Sequence, residues 1–189
     1  MRAPEKPEPN LEELRERYWE IERSIQEARS TDRSEWARRF SDLAHARRRV
    51  LSAAASRLPA RGPGAQWFQG ALEGAFGEPT QRFALDVVWH AQQFPKRYVE
   101  SVVRWALRAK VERFVELASK WHGAVAVFDA MTTAVERGEL GYAGHRFFEY
   151  YVRARPGEDP ALVAAARARL RDASLRAPDA PPGARGVED

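Results

Sequence analysis

Apolar residues recur every three or four positions along most of this chain, which is the period of an α-helix. Between Leu11 and Ala28 the steps alternate between three and four, as in a coiled-coil seam. A less regular apolar stripe, interrupted by Arg47, predicts a second helix after a short polar break. Because the connection is short, we expect these two helices to form an antiparallel hairpin over residues 10–58.

The densest apolar region lies over residues 79–176, where aromatic and branched side chains recur at helical spacing. Val99, Val103 and Leu107 belong to a stripe that predicts one helix from about Pro95 to Lys120. No partner strands are visible, so the predicted fold class is all-α. The hairpin should be followed by a helical bundle or, since the dipeptide Trp-His occurs twice, by a short α-solenoid.

The remaining segments have the composition of connectors and tails. Residues 59–78 are rich in glycine and proline, yet Phe68, Leu72 and Phe76 are spaced as one face of a short helix. Residues 1–9 and 177–189 are polar or rich in proline and alanine, and we expect both to be disordered.

Composition excludes several kinds of chemistry. The 189 residues contain no cysteine, so disulfides, thiolate-bound metals and a cysteine nucleophile are excluded. Nucleotide-binding glycine motifs and the Gly-x-Ser-x-Gly elbow do not occur. No signal peptide or run of 18 apolar residues is visible. We therefore expect a cytoplasmic protein without a membrane partner.

Basic residues outnumber acidic ones, and arginine dominates. The net charge is +4, with 31 lysines and arginines, only four of them lysine. Guanidinium groups bind phosphate in a bidentate fork, so clustered arginines suggest contact with a nucleic-acid backbone, although a coding bias toward arginine would give the same composition. The candidate residues on two predicted helix faces are Arg97, Arg104, Arg108, Lys110, Arg38, Arg39, Arg48 and Arg49.

The charges of the two hairpin helices are complementary. Residues 11–28 contain six glutamates and three arginines. Residues 33–57 contain seven arginines and only two acidic residues, Glu35 and Asp42. We expect part of the positive charge of the second helix to be neutralised by the first, which weakens any field that could attract anions.

Apolar side chains near the N-terminus and in the connector suggest protein binding. The hairpin seam could bind a partner helix or close on the second helix, and closure is favoured by its higher effective concentration. The candidate interaction residues are Trp67, Phe68, Leu72, Phe76, Leu14, Tyr18 and Ile21.

Catalytic and metal chemistry have little support in the sequence. None of the four histidines follows a glutamate by three residues, the pattern that helical di-metal sites use. Asp86 and His90 share a helix face, which leaves a helical enzyme with an Asp/His site as a further alternative. No catalytic residue, metal ligand or cofactor is predicted.

The leading hypothesis is a non-enzymatic interaction or adaptor subunit that binds another protein or a second copy of itself. The alternative is a subunit of a ribonucleoprotein-type assembly that grips nucleic-acid backbone through an arginine-rich helix face.

Overall fold

Helices make up all the regular secondary structure of residues 10–28, 33–59 and 61–181, the parts that the computed structural model describes. The predicted all-α class is therefore confirmed. The nine α-helices in these parts are α1 (Leu11–Ala28), α2 (Arg33–Ala55), α3 (Gly62–Glu73), α4 (Glu78–Ala91), α5 (Val99–Ala109), α6 (Glu112–His122), α7 (Ala124–Glu136), α8 (Tyr142–Glu149) and α9 (Pro160–Leu175). Residues 1–9 and 182–189, for which disorder is predicted, lie outside the described parts.

Local signals explain where several helices begin. Asn10 Oδ1 accepts a hydrogen bond from the Glu13 amide at 3.0 Å, and the Glu13 carboxylate accepts one from the Asn10 amide at 3.2 Å. This reciprocal pair is a capping box that starts α1. At α9, Asp159 accepts a hydrogen bond from the Ala161 amide at 2.8 Å, and Pro160 occupies the first turn.

The single helix predicted from Pro95 to Lys120 is two helices. Lys110 adopts a left-handed backbone conformation with φ of 56°, which ends α5, and Val111 leads into α6. Neither residue is a glycine or proline, so the local sequence carries no signal for this break. The break lets both halves pack separately, because α7 contacts α5 and α6 alike.

One hydrophobic core runs through the described chain. It includes Leu14 and Tyr18 of α1, Phe83 of α4, Phe128 of α7 and Leu170 of α9. The first two helices therefore share their core with the remainder, since α1 packs on α2 and α2 packs on α4. Within this core, α7 is central because it contacts α5, α6, α8 and α9.

Two carboxylates from the last part of the chain hold the N-termini of other helices. Glu158 accepts hydrogen bonds from the amides of Ala124 (2.9 Å) and Val125 (3.3 Å) at the start of α7. Asp179 accepts from the amide of Tyr142, at 3.0 Å to each oxygen, at the start of α8. Amide donors and the helix dipole both favour an anion at these positions.

Glycine at both helix starts leaves room for the close approach of these carboxylates, and at Gly123 the backbone φ of 90° also favours glycine. A Cβ atom at Gly123 would overlap the Glu158 carboxylate, and one at Gly141 would overlap that of Asp179. Ala177 is also buried, so packed structure continues to Asp179, beyond the point where the sequence predicts the tail to begin.

The cap at α7 generates a pH-dependent prediction. Burial by itself raises the pKa of Glu158, but hydrogen bonds from the amides of Arg155, Ala124 and Val125 lower it below its ordinary value. A lowered folded-state pKa means that the carboxylate contributes stability above its unfolded pKa. That contribution is lost as the pH falls through the folded value.

We expect Glu158→Gln to reduce the free energy of unfolding by about 1–2 kcal/mol at pH 7, and by less near pH 3, where protonation of the wild-type carboxyl has begun to remove its contribution. Urea unfolding at both pH values measures this, with Glu116→Gln on the exposed face of α6 as the control. Equal losses for Glu158→Gln at both pH values would contradict the assignment.

Candidate functional site

Most apolar residues predicted to bind a partner lie inside the fold. Phe68, Leu72 and Tyr18 are fully buried, and Leu14 is nearly so. Ile21 is half-buried on a shallow groove between α1 and α2. In this fold the seam of α1 packs onto its own chain, in agreement with the closure that effective concentration favours.

Two of the connector residues remain accessible to a partner. Phe76 lies just after α3 and is 49% exposed, while Trp67 is half-buried and stacks on it with ring centroids 5.9 Å apart. Phe76 also borders a groove shared with Trp19 of α1. This Trp67–Phe76 pair is a small apolar surface.

The predicted basic face of α5 is partly neutralised by the fold. Arg104 donates two hydrogen bonds to Glu139, one of them 2.8 Å long, and lies 3.7 Å from Glu100. The hydrogen bond from Arg104 lowers the pKa of Glu139, so the pair is ionised at neutral pH. Arg97, Arg108 and Lys110 are exposed, and Arg97 donates a hydrogen bond to Gln69 at 3.3 Å.

The candidate basic residues of α2 are accessible to solvent. Arg38, Arg39, Arg48 and Arg49 are exposed. Arg48 and Arg49 line an open cleft of about 690 Å³ together with His45, Asp42 and Ser52. The structure therefore half-buries Arg104 in a pair with Glu139, and it leaves the other members of both predicted basic sets exposed to solvent.

Asp86 belongs to a charged network that joins three helices. Arg47 of α2 lies 2.6 Å from the Asp86 carboxylate of α4 and also pairs with Glu22 of α1. The Tyr18 hydroxyl donates to Asp86, and burial together with that hydrogen bond raises the pKa of Tyr18 above its usual range. Arg47, which interrupts the apolar stripe of α2, is therefore the residue through which α2 is joined to both α1 and α4.

His90 contacts a serine, and its predicted partner Asp86 is engaged elsewhere. Its Nε2 lies 2.8 Å from Ser52 Oγ. Burial and then the charges of Arg48 and Arg47 lower the pKa of His90. A nucleophile and base need a third group to orient the base, and Asp86 is already bound to Arg47 and Tyr18.

A site that the sequence analysis missed lies between α8 and α9. These helices enclose a cleft of about 700 Å³, whose lining includes four arginines and a single glutamate, Glu149. The positive charges in the cleft therefore exceed the negative by three. The arginines are Arg146, Arg153, Arg167 and Arg171.

Three of these guanidinium groups are held in place by the protein. Arg167 Nε lies 3.0 Å from the Glu149 carboxylate, and its guanidinium carbon is 5.4 Å from the Phe128 ring centroid. Arg171 donates to the same carboxylate at 3.2 Å. Arg153 donates to the Tyr150 carbonyl at 2.6 Å and lies over the Tyr150 ring. This anchoring reduces the side-chain entropy lost when a ligand binds.

The cleft also contains a buried histidine. His145 is 3% exposed, and its Nδ1 has no hydrogen-bond partner within the described residues. Burial lowers the pKa of His145, opposed in part by the Tyr142 backbone and by Glu149. The imidazole is therefore neutral at pH 7, with one nitrogen able to donate and the other able to accept.

Exposed aromatic rings lie beside the cleft. Tyr150, which lines it, is 69% exposed, and the neighbouring Phe147 is 52% exposed. Both rings contact Tyr151, with centroid distances of 5.5 and 5.3 Å respectively. We call this combination of aromatic rings and arginines on α8 and α9 the aromatic–arginine surface.

Comparison with models of protein families, with curated proteins and with solved structures found no match to this chain. Within the described residues, no three histidine, aspartate or glutamate side chains are grouped so that they could hold a metal ion. No helix in those parts has the length and apolarity needed to span a bilayer.

The Asp86 network generates a prediction about Arg47. Arg47→Ala leaves the Asp86 carboxylate without its cation and leaves Glu22 with only the longer, 3.9 Å contact to Arg82. Since Arg47 is about one-third exposed, we expect a loss of about 2 kcal/mol rather than the larger cost of a fully buried pair.

The matched control is Arg48→Ala, because Arg48 is exposed and makes no ion pair within the described residues. Its free energy of unfolding in urea should change by less than about 0.5 kcal/mol. Equal losses for the two variants would show that the network does not stabilise the docking of α1 and α2 on α4.

Proposed function

We propose that this protein is a non-enzymatic interaction subunit that binds another protein through the aromatic–arginine surface of α8 and α9. One observation carries the proposal: Tyr150, which lines a cleft with three excess positive charges, and Phe147, which follows the cleft residue Arg146 in the sequence, each expose more than half of their surface. A helical hairpin over residues 10–58 followed by a helical core domain, and a location in the cytoplasm, remain parts of this proposal.

The composition of this surface supports protein binding. Tyrosine and arginine are enriched among residues that dominate the binding energy of interfaces, because both bury large areas and make directed polar contacts. The exposed rings of Phe147 and Tyr150, which both contact Tyr151, are unfavourable in water, and covering them with a partner lowers the free energy.

The charge of the surface indicates which kind of partner it would bind. Arg146 and Arg171 are exposed, and the neighbouring Glu149 is already shared by Arg167 and Arg171. A partner with a negative segment would complement the remaining positive charge and would associate faster at low salt.

The Trp67–Phe76 pair provides a matched comparison surface. Phe76 and Phe147 are nearly equally exposed, at 49% and 52%, but Phe76 has no comparable arginine cleft among its neighbours in the described chain. A role that depends on the aromatic–arginine surface should therefore respond to changes at Phe147 and not at Phe76.

We expect the double variant Phe147→Ala/Tyr150→Ala to lose a protein that co-purifies stoichiometrically with the wild-type chain, while Phe76→Ala keeps it. Native mass spectrometry of the complexes measures the stoichiometry, and it also distinguishes a foreign partner from a second copy of the chain. Equal retention by the two variants, or strictly monomeric wild-type protein, would refute the proposal.

A second candidate function is binding to a nucleic-acid backbone through α2. The observation that favours it is the exposure of Arg48 and Arg49 along an open cleft with His45. The same purified complexes would then contain nucleic acid, with retention that falls steeply between 50 and 200 mM salt. Replacing Arg48 and Arg49 by Glu should abolish that retention, and retention that survives the change would refute this candidate.

A further inference from the structure

We propose that the α8–α9 cleft binds a phosphate monoester, carried on a phosphorylated side chain of the partner protein. This inference rests on the proposed function for the identity of the carrier, but the phosphate site itself can be tested without any partner.

The charge of the cleft suits a dianion better than a carboxylate. Four arginines and one glutamate leave three excess positive charges. A single carboxylate would neutralise one of these charges, whereas a phosphate monoester brings a charge of about −1.5 to −2 and three acceptor oxygens at neutral pH. Arginine forks match those oxygens in bidentate geometry.

Glu149 organises two of the arginines of the cleft into a fixed arrangement. Its carboxylate lies 3.0 Å from Arg167 and 3.2 Å from Arg171, so both cations are fixed on one side of the cleft. The contact between Arg167 Nε and Glu149 is too poorly aligned to be a hydrogen bond, so this buried N–H has no aligned acceptor within the described residues. Because Glu149 already holds Arg167 and Arg171 in place, a phosphate group could bind with little rearrangement of these two arginines.

His145 supplies a second, independent observation. It is buried in the wall of the same cleft, and its Nδ1, which solvent does not reach, makes no well-aligned hydrogen bond within the described residues. A buried polar atom without a well-aligned hydrogen bond is unfavourable, and in folded proteins a water or an ion can satisfy such an atom. A neutral imidazole can donate one hydrogen bond to a phosphate oxygen.

The shape of the surface favours a protein carrier over a nucleic acid. The three excess charges of this surface lie in one cleft of about 700 Å³, a volume within the range of small-molecule pockets, whereas a nucleic-acid backbone presents repeated phosphates along an extended track. Tyr150 and Phe147 beside the cleft can cover residues next to a phosphorylated side chain. Clustered arginines are a general means of reading phosphorylated residues.

The test is a titration of the full chain with small probes, in which the NMR chemical shifts of the backbone amides report binding. The probes are N-acetyl-phosphoserine amide and N-acetyl-phosphotyrosine amide, against N-acetyl-serine amide, N-acetyl-glutamate amide, inorganic phosphate and a short single-stranded oligonucleotide. We expect saturable shifts confined to α8 and α9 for the phosphorylated amides, with affinity about tenfold above that of the glutamate amide.

Arg146→Gln is the main variant, because Arg146 is exposed and makes no ion pair within the described residues, so its loss should leave the fold intact. It should weaken phosphoserine amide binding about tenfold, the loss of one charge-assisted hydrogen bond. Arg108→Gln on α5 is the matched control and should bind as the wild type does.

Several outcomes would overturn the inference. Equal binding of the glutamate amide would identify a carboxylate site, and equal binding of inorganic phosphate would remove the protein carrier. Tighter binding of the oligonucleotide, with the same sensitivity to Arg146→Gln, would make the ligand a nucleic acid. Absence of saturable shifts, or equal effects of Arg146→Gln and Arg108→Gln, would remove the site.

Failure here is distinguishable from failure of the proposed function. If the phosphorylated amides do not bind but capture of a partner still depends on Phe147 and Tyr150, the interaction surface stands and only the phosphate site falls. If the phosphorylated amides bind but no partner is captured, the phosphate site stands and its carrier falls.

Discussion

Two carboxylates on either side of α9 hold the ends of two other helices in place. Glu158, just before α9, accepts hydrogen bonds from the first amides of α7, and Asp179, just after α9, accepts from the first amide of α8. Since α9 also packs along α7, these caps fix the three helices relative to one another. The caps therefore contribute, together with the pairs of Glu149 with Arg167 and Arg171, to the position of α8 beside α9, and these two helices form the cleft.

The fold neutralises some of its charges and leaves others available. Arg47 is paired with Glu22 and Asp86 where α1, α2 and α4 meet, and Arg104 is paired with Glu139. These pairs secure packing between helices and leave little field for an external anion. At the α8–α9 cleft, by contrast, one glutamate serves two arginines and the other two have no carboxylate partner in the described chain. This imbalance, more than the number of arginines, is what distinguishes a candidate binding surface from a stabilising network.

Local chemistry allowed part of this fold to be predicted from sequence. Helical periodicity predicts the all-α class, and the caps at Asn10 and Asp159 are formed by the residues beside the helices they start. The break at Lys110 could not be predicted, because a lysine in a left-handed conformation is stabilised by the packing of α5 and α6 and not by its own preference.

The candidate site was beyond reach for a related reason. Arg146 and Arg153 are seven residues apart on the chain, as two residues on one helix face would be, but Arg167 and Arg171 come from another helix. Only the packing of α8 beside α9 makes one site of them, in a chain where arginines are common everywhere. The apolar candidates show a different limit of the sequence. Phe68 and Leu72 are buried in the core, but their helical periodicity would be the same if that helix face bound a partner.

The most direct test of this account is amide hydrogen exchange in Asp179→Ala, with Asp172→Ala on the exposed face of α9 as the control. If the Asp179 cap holds the N-terminus of α8 in place, exchange of the α8 amides over residues 142–149 should accelerate by about tenfold in Asp179→Ala, which is the effect of losing one helix cap. The amides of α5 should keep their protection. Unchanged exchange in α8, or equal acceleration in Asp172→Ala, would show that the cleft does not depend on this cap and would contradict the account.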